Sequence, residues 1–142
     1  MNGSMLEQQL KRQEGVSLKP YKCTGDKLTI GYGRNLEDRG ITAVEAQMML
    51  QTDIAYLFSV LPKRIKCFNY LEKARADVLV NMAFNLGVNG LLKFEKMLVA
   101  VEAGDYCTAA KEMLDSKWAK QVKGRAEELA KQMESGEYKI WP

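Results

Sequence analysis

The sequence predicts an α+β fold, mostly α, with a small sheet-containing N-terminal lobe joined by a long helix to a helical C-terminal lobe. Three observations carry this. Leu28, Ile30 and Tyr32 alternate with Thr29, Gly31 and Gly33, the period of two expected of a strand. Between Ala43 and Leu61 the apolar residues recur with helical spacing instead. From Pro62 onward every apolar run reads as helix. At 142 residues one domain is expected, with a small lobe of about residues 15–60 and a large lobe of about 61–142.

Composition narrows the function classes. Hydrophobic residues make up 46% and charged residues 27%, so the chain can bury one sizeable core. Net charge is +3 with no block of Lys or Arg, which points away from nucleic acid and suits an anionic polymer only mildly. There is no histidine, which removes Ser-His-Asp and Cys-His catalysis and most zinc sites. Cys23, Cys67 and Cys107 are odd in number and widely spaced, so free thiols made in a reducing compartment are expected. The first residues lack an apolar run, so neither a signal peptide nor a membrane anchor is expected.

Each element has its own local reason. Ser4 and Glu7 have capping-box spacing and open a first helix. Leu6, Leu10 and Glu14 share one face of it, and Gly15 follows as a C-terminal cap. A polar turn at Gly25-Asp26 separates two strands, the second ending in Gly31 and Gly33. Leu28, Ile30 and Tyr32 should face the small lobe's core, leaving Thr29 and the glycines on the other face. Thr42 and Glu45 form a second capping box, opening a helix from about Ala43 to Leu61 that stops before Pro62. Its apolar face comprises Ala46, Met49, Leu50, Ile54, Leu57 and Leu61. Asn69 and Glu72 can cap a central core helix carrying Val78, Leu79, Met82 and Ala83, ended at Gly87. Leu91 to Ala103 reads as one helix stopped at Gly104-Asp105, with shorter ones at Tyr106–Leu114 and Ala126–Met133. Trp118 and Trp141 read as core anchors.

Glu14 is the first candidate for chemistry. It continues an apolar stripe at the negative end of a helix, and both features favour a protonated carboxyl, as a general acid needs. An ordinary solvated last-turn glutamate fits the same spacing. Thr29 and Gly31 lie on a strand face that a ligand can approach closely, although a β-branched residue beside a bend also explains them.

The run Glu14-Gly15, Tyr21-Lys22-Cys23-Thr24, Thr29-Ile30-Gly31-Tyr32-Gly33 resembles the phage-type lysozymes. Their motif is Glu, eight residues, Asp or Cys, five residues, Thr, and Glu14, Cys23 and Thr29 have that spacing. The likeness continues through Ile41-Thr42, Arg75, Asn81 to Gly87, Ala109-Ala110, Trp118 and Gly124-Arg125-Ala126, so it spans nearly the whole chain. The chain looks trimmed between Leu36 and Ile41.

The resemblance implies a lysozyme-like fold in which the N-terminal helix, residues 4–14, packs with the large lobe. It implies hydrolysis of the β-1,4 bond between N-acetylmuramic acid and N-acetylglucosamine in bacterial peptidoglycan, with Glu14, Cys23 and Thr29 as the catalytic set. Gly31, Phe84, Asn85 and Arg125 are the implied substrate contacts, with Arg125 approaching Glu14. The implied partner is a peptidoglycan glycan strand, met by a monomer without cofactor, metal, nucleic acid or stable membrane insertion. The implied life history is that of an endolysin made in the host cytoplasm and released through a separate pore-former. Cys23 stands where Asp is more familiar, and three roles stay open for it: orienting water, acting as base through a thiolate, or attacking carbon. A lytic transglycosylase, which needs only the Glu, and a non-catalytic peptidoglycan-binding module are the competing readings.

Overall fold

The computed structural model describes residues 3–139 of the chain, which divides into two units, Met1–Met49 and Leu50–Pro142. Trp141, expected as a core anchor, lies outside the described residues.

The first unit opens with α1, Gly3–Glu14. Met5, Leu6 and Leu10 are exposed and no residue of α1 is buried, contrary to the expected apolar stripe. The helix is too polar for one: Glu7, Gln8, Gln9, Lys11, Arg12 and Gln13 surround two leucines. Gly15 closes it by donating its N–H to Lys11 O at 3.0 Å. Strands β1 (Ser17–Lys22), β2 (Leu28–Gly31) and β3 (Arg34–Asn35) follow as an antiparallel sheet in that order. Two polar residues carry no periodicity, so β3 was invisible in the sequence.

The facing of β2 differs from expectation. Leu28 and Ile30 are half-buried, Tyr32 is 48% exposed, and Thr29, at 3%, is the buried residue. The Thr29 hydroxyl is turned toward the Cys23–Lys27 turn, where it donates to Lys27 O.

The long helix α2 runs Ala43–Arg64, past Pro62. Proline in the last turn removes one backbone bond there, and Ile65 N–H to Leu61 O at 2.8 Å still closes the helix. The capping box forms as its spacing requires: Thr42 N–H donates to Glu45 Oε1 at 2.8 Å, and Glu45 N–H to Thr42 Oγ1 at 3.1 Å. Of the expected apolar face only Leu57 and Leu61 are buried; Ala46, Met49, Leu50 and Ile54 are exposed. Helix α2 thus links a small sheet-bearing lobe to a mostly helical one.

In the second unit a single 3-10 turn, Phe68–Tyr70, takes up Asn69 and precedes α3, Lys73–Leu86. Helix α3 buries Val78, Leu79, Met82 and Ala83, as expected of the central helix. Glu72 holds its N-cap position without capping it, and its carboxylate instead pairs with Arg75 Nη1 at 2.9 Å. Gly87, at φ +80°, ends α3 in a conformation that side chains resist. The single helix expected over Leu91–Ala103 is two, α4 (Val88–Leu92) and α5 (Glu95–Glu102). Phe94 leaves helical geometry between them, with its ring edge-on to Trp118 at 6.0 Å. Helices α6 (Tyr106–Leu114), α7 (Lys117–Val122) and α8 (Gly124–Ser135) complete the unit.

The apolar core is built from residues of this helical part, from Leu57 onward, around Leu61, Leu79, Met82, Leu91, Met97, Met113 and Met133. Buried Arg75 serves it structurally. Its Nε and Nη2 donate to Met133 O at 2.6 Å and Glu134 O at 2.7 Å, satisfying carbonyls at the end of α8. Its guanidinium also lies 3.6 Å from the centre of the Tyr106 ring.

Candidate functional site

Cys23 directly follows β1 and opens the five-residue connection, Cys23–Lys27, to β2. Asp26 N–H donates to Cys23 O at 2.8 Å and Cys23 N–H to Lys27 O at 3.0 Å. The loop needs a left-handed residue, and Asp26 supplies it at φ +62°, which is a backbone reason for an aspartate there. The turn brings the Lys27 N–H to the Cys23 sulfur at 3.4 Å. Thr29 Oγ1 donates to Lys27 O at 2.8 Å. Cys23 and Thr29 are therefore brought together, with Lys27 between them. The Lys27 N–H, which donates to the sulfur, holds the Cys23 thiol below its ordinary pKa because it favours the thiolate.

Glu14 is placed differently from expectation. It is exposed, and so does not continue a buried apolar stripe. Its carboxylate lies beside Gly33. A Cβ on Gly33 would come within 3.0 Å of Glu14 Oε2, and Gly33 has φ +80°. Gly33 is thus glycine twice over, for its left-handed backbone and for the carboxylate lying on its Cα. One turn back on α1, the Lys11 ammonium stands 5.6 Å from the Tyr32 ring centre, a second tie between the helix and the β2–β3 turn. Gly31 pairs with Ser17 across the sheet, and nothing lies within 4 Å of where its side chain would be.

The other three candidates lie on the helical unit. Arg125, near the start of α8, donates from Nη2 to Asn81 Oδ1 at 2.6 Å and from Nε to the same oxygen at 3.0 Å. Arg125, Asn81 and Phe84 line one pocket of about 480 Å³ together with Ile54, Phe58 and Tyr138. Phe84 is 47% exposed, unusual for a ring on a core helix. Asn85 lies apart from that pocket's lining: its Oδ1 accepts from Trp118 Nε1 at 2.7 Å and anchors the buried indole. Trp118 is accordingly the core residue expected.

Asn81 was not singled out from the sequence, though a signal existed. Lys73, Asp77, Asn81 and Asn85 are spaced by four along α3, a polar line on one face of a helix whose other residues are apolar apart from Arg75. Asp77 binds both Lys73 Nζ, at 3.0 Å, and the Tyr138 hydroxyl. Among the described residues no cluster of metal-ligating side chains is present.

Residues 11–134 match the sequence profile of a family described as phage lysozyme. The pre-baseplate central spike protein of Enterobacteria phage T4 is 33% identical over 153 aligned residues, which cover 88% of this chain but 26% of that protein. The chain thus spans about a quarter of the spike protein. The endolysin of Acyrthosiphon pisum secondary endosymbiont phage 1 is 33% identical over 115 residues, 78% of this chain and 75% of its own. A probable T4-type lysozyme of Dictyostelium discoideum is 26% identical over 162 residues, 94% of this chain and 95% of its own.

Proposed function

The chain belongs to the phage lysozyme family, and from that premise we propose that it hydrolyses the β-1,4 bond between N-acetylmuramic acid and N-acetylglucosamine in bacterial peptidoglycan. What most supports this reading is one arrangement. Cys23 and Thr29 share a hydrogen-bonded turn on the unit that also holds the Glu14 carboxylate against Gly33.

Cleaving a glycosidic bond needs a proton for the leaving oxygen and a nucleophile for the developing oxocarbenium carbon. Glu14 gives its carboxyl proton to the glycosidic oxygen as the bond to C1 breaks. A water held by the Thr29 hydroxyl attacks C1 from the opposite face. The proton it loses passes to the Cys23 sulfur, whose lowered pKa enlarges the thiolate fraction available to take it. Glu14 is left as carboxylate and Cys23 as thiol, and exchange with solvent restores both. The product anomer is inverted. Gly31 leaves the β2 backbone open to a glycan; on the helical unit, Phe84 and Arg125, which line one pocket, are the residues proposed to contact sugar.

The protein acts as a monomer on glycan strands, in the manner of an endolysin made in a host cytoplasm and released through a separate pore-former. No helix among the described residues is long and apolar enough to cross a membrane.

Glu14→Gln keeps the shape and cannot donate the proton, so wall lysis should fall by at least about a hundredfold with the circular dichroism spectrum unchanged. A folded Glu14→Gln protein lysing walls at the wild-type rate removes the reading.

A further inference from the structure

The loop after β3 carries two acids that reach back to the Cys23 turn. Glu37 Oε1 accepts from the Leu28 N–H at 3.0 Å and from Lys22 Nζ at 3.4 Å, and Asp38 Oδ1 pairs with Lys27 Nζ at 3.4 Å. The Leu28 N–H and the Lys27 C=O belong to a single peptide unit, which is planar and trans. They point in opposite directions. Glu37 grips one edge of that plane. The other edge, Lys27 O, accepts from Cys23 N–H at 3.0 Å and from Thr29 Oγ1 at 2.8 Å.

We propose that Glu37 is a positioning residue for the Cys23–Thr29 pair, acting through the Lys27–Leu28 peptide plane; this rests on the catalytic reading of that pair. A charge-assisted bond to Leu28 N–H resists rotation of the plane and strengthens its carbonyl as an acceptor. Rotation would release the Thr29 hydroxyl and tilt the neighbouring Lys27 N–H, which meets the Cys23 sulfur at 3.4 Å. The charged side chains on the turn and on the segments bonded to it are Lys19 and Lys22 on β1, Asp26 and Lys27 in the turn, Arg34 on β3, and Glu37, Asp38 and Arg39 on the loop. Removing the Glu37 charge alone therefore alters the field at the thiol, and the test must separate field from geometry.

Glu37→Gln and Glu37→Ala both remove the charge, but only glutamine keeps an acceptor at the same reach. Three readouts apply to each full-length variant: exchange of the Leu28 amide, the pH midpoint of Cys23 alkylation by iodoacetamide from peptide mass mapping, and kcat against KM for wall lysis. Relative to Glu37→Gln, Glu37→Ala should exchange the Leu28 amide faster and alkylate with a higher midpoint. Its kcat should be lower by about three- to tenfold, with KM little changed. Glu37→Asp keeps the charge but is one methylene short, so it should exchange and turn over like Glu37→Ala, which also covers the case in which alanine impairs folding. Equal alkylation midpoints and rates in the Gln, Ala and Asp variants would overturn the proposal. If Cys23→Ala instead lyses walls at the wild-type rate, the catalytic reading fails. Amide exchange and alkylation then still decide whether Glu37 holds the turn.

Discussion

At Gly33 the backbone and the proposed acid meet. Gly33→Ala would force an L side chain into φ +80° and press its Cβ toward Glu14 Oε2 from 3.0 Å. The left-handed conformation alone should cost about 1–2 kcal/mol of stability, read by chemical denaturation. Lysis should fall further than that loss explains, because the carboxylate must move. An active Gly33→Ala protein would mean that the seat of Glu14 does not matter. Cys23 calls for a different series. If it accepts the proton of water, Cys23→Asp should lyse walls, Cys23→Ser should do worse because its hydroxyl does not ionise usefully, and Cys23→Ala should be strongly impaired. A glycosyl-thioether intermediate or a retained anomer would instead make the sulfur the nucleophile. The Glu-x8-Cys-x5-Thr spacing was readable in the chain, whereas the way Glu14 is held was not. A stripe of Leu6, Leu10 and Glu14 suggested burial, whereas the carboxylate is exposed beside a glycine nineteen residues away, where a side chain would crowd it.

The element that organises the small unit is the start of α2. Glu45 closes the capping box and also takes a bidentate grip from Arg34 on β3, Nη1 to Oε1 at 2.8 Å and Nη2 to Oε2 at 2.5 Å. Arg34 Nη1 reaches Gly40 O as well, at 3.0 Å, so one guanidinium ties strand, loop and helix start. Arg34 first, then the Thr42 N–H, lowers the Glu45 pKa from 4.5 to about 2. The sign follows from linkage. The folded state favours the carboxylate, so its stabilisation is complete above pH 4.5 and is lost as pH falls toward about 2. Exchange of the Thr42 and Glu45 amides should therefore accelerate through that acid window, and Glu45→Gln should flatten the change. An unaltered profile in Glu45→Gln would assign the acid response elsewhere. The capping box was legible because its chemistry is local. The ion pair was not, since eleven residues and a two-residue strand separate Arg34 from Glu45. Likewise Phe94, which stands at the break between α4 and α5, has its ring against Trp118, a contact no window of sequence contains.

Across the molecule the apolar core is unequally shared. The core cluster begins at Leu57, and among the described residues of the first unit Thr29 alone is buried. The helical unit can therefore hold itself by burial, whereas the small unit relies on its sheet, the Arg34–Glu45 pair and the Glu37 contacts. Backbone amides of α3, α6 and α8 should exchange only through global unfolding, while those of β1 and β2 open at lower free energy. Equal protection of the two sets would contradict this division. The periodicities of the helical lobe made its core helix readable in advance, and the polar, exposed small unit gave less to read.

The proposal that the Glu14, Cys23 and Thr29 constellation is hydrolytic is tested most directly by mass analysis of the muropeptides released from purified peptidoglycan. The wild-type protein should yield fragments ending in a reducing N-acetylmuramic acid, each carrying the atoms of one added water, and Glu14→Gln should yield almost none. Fragments ending in an anhydro ring would make the protein a lytic transglycosylase, and an undigested wall with the wild-type protein bound would make it a binding module; either result contradicts the account.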